Sequence, residues 1–380
     1  AWEAAWHQQL KENGLECIPL KPQPVKADRI PENELDEEAR SITEQLTDDQ
    51  LIAMVIGEIS KGQENALGSA GIMVPGAAGE TSGALEKEFD VPGIPMADGP
   101  AGLRLTREYQ VNPEDGSVYG QGLLGALEGG FFAEKEVHEN ADTYYQFCTA
   151  IPVGTLLAQT WDVDLIEEVG QAVALEMQEF GVAWWLAPGM NIHRNPLCGR
   201  NFEYYSEDPF LSGKCAAAVT RGVQETEGLC TVVKHFACND AEDNRNHSSS
   251  NVSERALREI HLRGFEYAVK EAQPHGLMSS YNRINHVYAP NSHDLLTDIL
   301  RCEWGYQGLV MTDWGSCNAS AADAVKCAPA GNDIVMPGAA EEAEAIRKAM
   351  HEGLISQECI RRSAARVLRV MLKAKTEVIL

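Results

Sequence analysis

From about residue 90 onward, short apolar runs alternate with amphipathic segments, and this alternation restricts the chain to a parallel α/β architecture. Strands are expected at 93–97, ending at Asp98; at 149–153; at 182–187, ending before Pro188; and at 230–233, ending at Lys234 and His235. Three more are expected at 276–280, at 308–312, where the run stops at Asp313, and at 333–336. Helical spacing of apolar residues predicts helices over 163–180, 254–271 with Ser253 as cap, 295–303, 340–352 and 357–373. A further helix is expected over 209–225, behind the N-cap candidate Ser206. Seven or eight such strands over roughly 300 residues favour a (β/α)8-like TIM barrel, irregular in its first strands, over an open doubly wound sheet. No glycine-rich G-x-G-x-x-G turn follows a strand, which argues against a dinucleotide fold.

Two regions fall outside the alternation. Residues 1–40 carry Pro19, Pro22, Pro24, Pro31 and an acidic cluster at 32–38, and they read as an N-terminal linker, with the barrel domain over 41–380. The insert from Thr106 to Tyr145 is rich in glycine and acids, and an excursion of that length after a strand end reads as part of a site rim. The start at Ala1 reads as a processed, cut or engineered terminus.

Composition bounds the partners. A formal charge of −26 disfavours nucleic acid and anionic lipid and suits a neutral substrate. No run of eighteen apolar residues is present, and residues 1–6 lack the pattern of a signal peptide. The ten cysteines are scattered, with no C-x-x-C pair and no zinc spacing; they read as reduced thiols, which sets a cytoplasmic location as the expectation.

Catalytic groups of barrel enzymes stand at the C-terminal ends of the strands. Asp98, Arg200, Lys234, His235, Tyr281 and Asp313 all fall at or just beyond such ends, and Trp314 beside the acid offers an apolar face to a sugar ring. Acids, bases and donors brought to one face suit an uncharged polyhydroxylated ligand. Singly, each has a plainer reading. Asp313 caps or solvates a loop, Lys234 and His235 emerge into solvent, Arg200 pairs with Glu203 or Glu207, Tyr281 is core, and Asp98-Gly99-Pro100 is an ordinary turn.

In order along the chain, the segments 97–104 (ADGPAGLR), 199–209 (GRNFEYYSEDP), 234–239 (KHFACN), 253–260 (SERALREI), 278–282 (MSSYN) and 311–315 (MTDWG) resemble glycoside hydrolase family 3 of the β-glucosidase type, over about residues 40–375. The resemblance implies a retaining, exo-acting β-glucosidase without cofactor or metal, in which Asp313 is the nucleophile that forms a covalent glycosyl-enzyme. It further implies that Asp98, Arg200, Lys234 and His235 bind the hydroxyls of the terminal sugar. Met278, Tyr281 and Trp314 then line that subsite, with Arg104, Arg194 and Glu254 as weaker candidates. Lys234 and His235 are expected to donate to hydroxyls, and Tyr281 to favour the ionised form of Asp313.

One part of the pattern is missing. A retaining glycosidase needs a second carboxyl group about 5–5.5 Å from the nucleophile. In this family's β-glucosidases the resemblance places it on an α/β-sandwich domain, and no such domain is read here. The expectation is a barrel from a member with reversed domain order, its acid/base Glu supplied by that domain or by a second polypeptide. Another branch, the β-N-acetylglucosaminidases, uses a His-containing loop after the K-H-F segment. His247 lies there, but Arg245 stands where an Asp is expected. β-Xylosidase activity is the nearest alternative, and a catalytically incomplete sugar-binding subunit is the alternative from another class.

Overall fold

The computed structural model describes residues 34–58, 73–119, 138 and 140–374. Its strands in chain order are β1 (Gly79–Glu80), β2 (Pro95–Ala97), β3 (Glu108–Val111), β4 (Val118–Tyr119), β5 (Asp142–Tyr145), β6 (Trp184–Trp185), β7 (Cys230–Phe236), β8 (Ser249–Ser250), β9 (Gly276–Ser279), β10 (Arg283–Ile284), β11 (Val287–Tyr288) and β12 (Leu309–Thr312). Six of them form one sheet in the order β1-β2-β6-β7-β9-β12. It is parallel from β2 to β12, while β1 runs antiparallel to β2.

Short bridges close this sheet into a barrel. Met311 pairs with Ile334, Val335 with Ile56, and Gly57 with Thr81 just after β1. The Val335 carbonyl accepts from Gly57 N at 2.9 Å, and the Glu80 carbonyl accepts from Glu58 N at 3.0 Å. The barrel expectation therefore holds, with the irregularity in its first strands: the second segment round the ring is reversed. One expected strand is not formed. Residues 149–153 form no strand; Pro152 removes a donor, and Ile151 N instead donates to Ala101 O at 3.0 Å in a loop contact. The segments at 56–57 and 79–80 escape a pattern search because two residues carry no periodicity.

Period-two alternation sorts the strand residues. Met96, Trp184, Val232, Met278, Met311, Ile334 and Met336 share one buried cluster that fills the barrel and continues to the helices Asp48–Met54, Ala340–His351 and Gln357–Lys373. Ala97, Trp185, Val233, Leu277 and Val310 face the other cluster, under the helices Val163–Glu179, Pro209–Gln224 and Arg263–Ala272. The inward rows, continued by two residues, arrive at Asp98, Lys234, Ser280 and Asp313. Asp208 rather than Ser206 caps the helix at Pro209: its carboxylate accepts from Phe210 N at 2.8 Å, while Ser206 Oγ accepts from Asp208 N at 3.0 Å. Ser253 caps as expected, but the helix behind it passes through a π turn at Leu257–His261, and Asp294–Glu303 is π-helical.

Residues 1–33 of the expected linker lie outside the described residues. The helix Glu34–Thr43 carries Ala39 into the barrel cluster and lies against the helix Gln357–Lys373. Within the insert, β5, β3 and β4 form a three-stranded antiparallel sheet, and 120–137 and 139 lie outside the described residues. Among the described residues, no helix is long and apolar enough to cross a membrane.

Candidate active site

Each strand end brings its side chain to the site by a local device. After β2, Asp98-Gly99-Pro100-Ala101-Gly102 turns back so that Arg104 N donates to Asp98 O at 2.8 Å. Gly99 and Gly102 hold φ of +115° and +109°, and a Cβ on either would run into backbone, so this return needs glycine at both. The loop delivers Arg104 onto Asp98 from one side, while Lys234 Nζ donates to Asp98 Oδ1 at 2.7 Å from the other. Burial opposes the charge on Asp98, but the two cations prevail and hold its carboxyl well below the usual range.

Adjacent residues of a regular strand face opposite ways. The register of β7 against β9 shifts between Lys234 and Phe236, and this irregularity lets both Lys234 and His235 serve the site. Both are nearly fully buried. Arg200, on the loop after β6, clamps Glu203 in a bidentate pair at 2.7 Å and 2.7 Å. Glu203 Oε1 also lies 3.8 Å from Lys234 Nζ. Thr155 Oγ1 pins this loop by donating to the carbonyls of Asn201 and Tyr204 at 2.8 Å and 2.9 Å.

Asp313 follows β12. Its Oδ1 accepts from Trp314 N at 2.7 Å, while Oδ2 is buried with no hydrogen-bond partner among the described residues. His235 Nε2 stands 3.6 Å from that oxygen. Burial raises the Asp313 carboxyl above its usual value, opposed by Arg200, Lys234, the Trp314 amide and Arg245. A free carboxylate oxygen surrounded by cations fits a nucleophile kept ionised at neutral pH. The Tyr281 hydroxyl donates to Trp314 O at 2.8 Å and also faces the Asp313 carboxylate, so Tyr281 joins the surrounding cations in favouring its ionised form. Trp314 is itself fixed by its indole N–H, which donates to Ala78 O at 2.8 Å. Its ring lies where a Cβ on Gly79 would come within 3.1 Å, so glycine at 79 gives the indole its place.

A raised carboxyl pKa has a consequence for stability. The folded state holds the Asp313 proton more tightly than the unfolded chain, so stability is lost as pH rises from the ordinary carboxylate range through the raised value. Asp313→Asn is therefore expected to raise the Tm at pH 7, with the gain shrinking as pH falls below the ordinary range. Thermal scans of both proteins across pH check this, and a lowered Tm at neutral pH contradicts it.

The structure thus brings together Asp98, Arg104, Arg200, Lys234, His235, Tyr281, Asp313 and Trp314. Met278 lies beneath them: it is buried in the barrel interior and pairs in register with Lys234 and Met311. Arg194 is half-exposed and pairs with Asp240 at 2.9 Å, and Glu254 pairs with Arg258 on the outer helical layer at 3.0 Å. His247 is exposed. Sequence reasoning named Glu203 only as a partner for Arg200, a pairing the structure shows, and Arg245 only as a departure from another branch's pattern; it missed Asn191 and Tyr204. Arg245 lies over the Tyr281 ring at 4.4 Å and pairs with Glu242 at 2.8 Å. Asp98, Glu203, Asp240 and Glu242 are each paired with a cation.

Comparison with known proteins converges on one family. The signature described as Glycosyl hydrolase family 3 N terminal domain matches residues 131–370. The chain is 40% identical over 292 residues to Beta-glucosidase A of Butyrivibrio fibrisolvens, covering 77% of this chain and 29% of that protein. It is 43% identical over 227 residues to an exo-α-(1→6)-L-arabinopyranosidase of Bifidobacterium longum, covering 60% of this chain and 29% of that protein. The solved structure of beta-glucosidase 3B from Thermotoga neapolitana in complex with α-D-glucose superposes with a TM-score of 0.72 at 40% identity, covering 88% of this chain and 42% of that one. The chain thus spans less than a third of the length of these curated relatives. Its barrel, its strand-end acids and these relatives agree: the chain belongs to glycosyl hydrolase family 3.

Proposed function

We propose that this chain carries the sugar-binding subsite and the nucleophile of a retaining, exo-acting β-glucosidase. The observation that carries the reading is the unpartnered Asp313 Oδ2 at the C-terminal mouth of the barrel, beside Arg200, Lys234, His235 and Arg245. Asp313 attacks the anomeric carbon to give a covalent glycosyl-enzyme, and water then hydrolyses it. Asp98, held ionised, accepts from sugar hydroxyls, while Lys234 and Arg200 retain donors for them. Trp314 and Tyr281 offer ring faces.

Protonation of the leaving group falls to a carboxyl group outside the described residues. Support comes from the length of the relatives and from the cations that occupy the nearby acids. In this reading a sandwich domain precedes the barrel in reversed order, or a companion chain supplies it, and the barrel unit begins with the helix Glu34–Thr43 rather than at residue 41. We place the protein in the cytoplasm.

A second reading has its own support, since one relative is named for an L-arabinopyranoside. Such a pentopyranose, like xylose, lacks the hydroxymethyl group of glucose. Side-by-side hydrolysis of aryl β-glucoside, β-xyloside, α-L-arabinopyranoside and N-acetyl-β-glucosaminide by the protein containing this chain decides between them. The proposal expects the glucoside to be fastest and β-glucose to be the first product seen by NMR; α-glucose first contradicts retention. For the isolated chain, azide is expected to accelerate turnover of an activated aryl glucoside, whereas saturable binding without any turnover marks a sugar-binding subunit.

A further inference from the structure

We infer that Asn191 is a positioning residue that holds His235 as the Nδ1–H tautomer, so that Nε2 meets the pocket as a hydrogen-bond acceptor beside Asp313. The inference deepens the proposed function, on which it rests only for the identity of what fills the pocket.

The chain after β6 runs on beside β7. Lys234 N donates to Pro188 O at 2.9 Å, and Met190 N donates to Lys234 O at 2.8 Å. The next rung of this ladder is made by a side chain. His235 N donates to Asn191 Oδ1 at 3.0 Å, and Asn191 Nδ2 donates to His235 O at 2.8 Å. A backbone N–H only donates and a carbonyl only accepts, so these two bonds settle which end of the Asn191 amide is oxygen. That same Oδ1 lies 3.2 Å from His235 Nδ1. An amide oxygen carries no proton, so Nδ1 must.

The surroundings agree. The Tyr204 hydroxyl lies 3.3 Å from Nδ1, donates to Asn239 O at 3.3 Å and accepts from Asn239 Nδ2 at 3.3 Å, which leaves it able to share the Nδ1–H as a second acceptor. Burial keeps a second proton off the ring, and Arg200, Lys234 and Arg245 oppose it further; Asp313, 3.6 Å from Nε2, is the acid facing the ring. Nε2 is therefore a lone pair. Asp313 Oδ2 accordingly receives no N–H from it and stays unpartnered. Two results follow for the chemistry. The attacking oxygen is not quenched by a hydrogen bond from His235, and the sugar hydroxyl lodged at Nε2 must donate. The expectation that His235 donates to the ligand is replaced.

The test is two-bond 1H–15N correlation of the histidine rings across pH 5–8 in the ligand-free protein containing this chain, with the His235 signals assigned by their loss in His235→Gln. The expected result is a protonated Nδ1 and an unprotonated Nε2 throughout. In the near-isosteric Asn191→Asp, the new carboxylate is expected to raise the ring's titration midpoint by about 1–3 units. A doubly protonated ring then appears at a pH where the native ring is neutral, and the acidic limb of kcat/KM moves up with it. Tyr204→Phe is expected to keep the native pattern. A native Nε2–H ring overturns the inference. So does an Asn191→Asp protein whose ring titrates as the native one does, or a tautomer that switches in Tyr204→Phe alone. Aryl glucoside hydrolysis is read separately: its absence removes the proposed function and leaves the tautomer result standing.

Discussion

Asp313→Gly is expected to reduce turnover of an aryl β-glucoside by roughly 10⁴–10⁶-fold, the range seen when the nucleophile of a covalent mechanism is removed. Binding of glucose should persist, because Asp98, Lys234, Arg200 and Arg104 hold one another in place independently of Asp313. The split between lost turnover and retained binding separates a nucleophile from a structural acid. A structural Asp313 predicts a fall in both, together with a lowered Tm. External azide is not expected to restore natural stereochemistry to this variant. With the carboxylate gone, a small anion can only enter from the face that Asp313 occupied, and the product is the α-glycosyl azide.

The largest expected loss of stability lies one layer beneath the site. Arg301 is nearly fully buried, pairs with the wholly buried Asp333, and donates to Gly308 O at 2.9 Å and Gly331 O at 3.2 Å. Asp333 Oδ2 in turn accepts from Val310 N at 2.8 Å, and Arg366 reaches its Oδ1 at 3.1 Å. This network ties β12, the strand that carries Asp313, to the next segment of the barrel. Arg301→Met leaves Asp333 short of a partner and two carbonyls without their donor, and is expected to cost about 3–5 kcal/mol. Arg347 pairs with Asp49 in a geometry almost as close, at 2.8 Å, but both side chains are open to solvent. Arg347→Met is therefore expected to cost roughly 0–1 kcal/mol. Urea midpoints of the two variants test the contrast, and equal shifts contradict it.

What the sequence revealed and what it hid share one physical cause. Asp98, Lys234 and Asp313 were legible because each ends an apolar run two residues past an inward-facing side chain, so strand periodicity alone aims them into the barrel mouth. His235 was legible only through its neighbour, since a regular strand would have turned it away; the irregular register of β7 has no signature in composition. Glu203 was legible only as a local partner of Arg200, its approach to Lys234, 31 residues on, being hidden, and Asn191 acts through a contact 44 residues away along the chain that nothing local marks. Arg245 was noted only as a departure from another branch's pattern, yet it faces Tyr281 and favours the charge on Asp313. The run at 149–153 was misread because apolar content alone does not make a strand when Pro152 interrupts the donors. The first barrel segments, at 56–57 and 79–80, are defined by their partners across the ring rather than by their own residues.

In the proposed mechanism Asp313 becomes covalently bonded to sugar during turnover. Incubating the protein that contains this chain with 2,4-dinitrophenyl 2-deoxy-2-fluoro-β-glucoside slows hydrolysis of the intermediate more than its formation, and peptide mass spectrometry then locates the adduct. The predicted result is one fluoroglucosyl group on the peptide spanning Met311–Gly315, on Asp313, absent from Asp313→Asn. A label on another carboxylate, or steady hydrolysis of glucosides with no adduct and with α-glucose as first product, contradicts it.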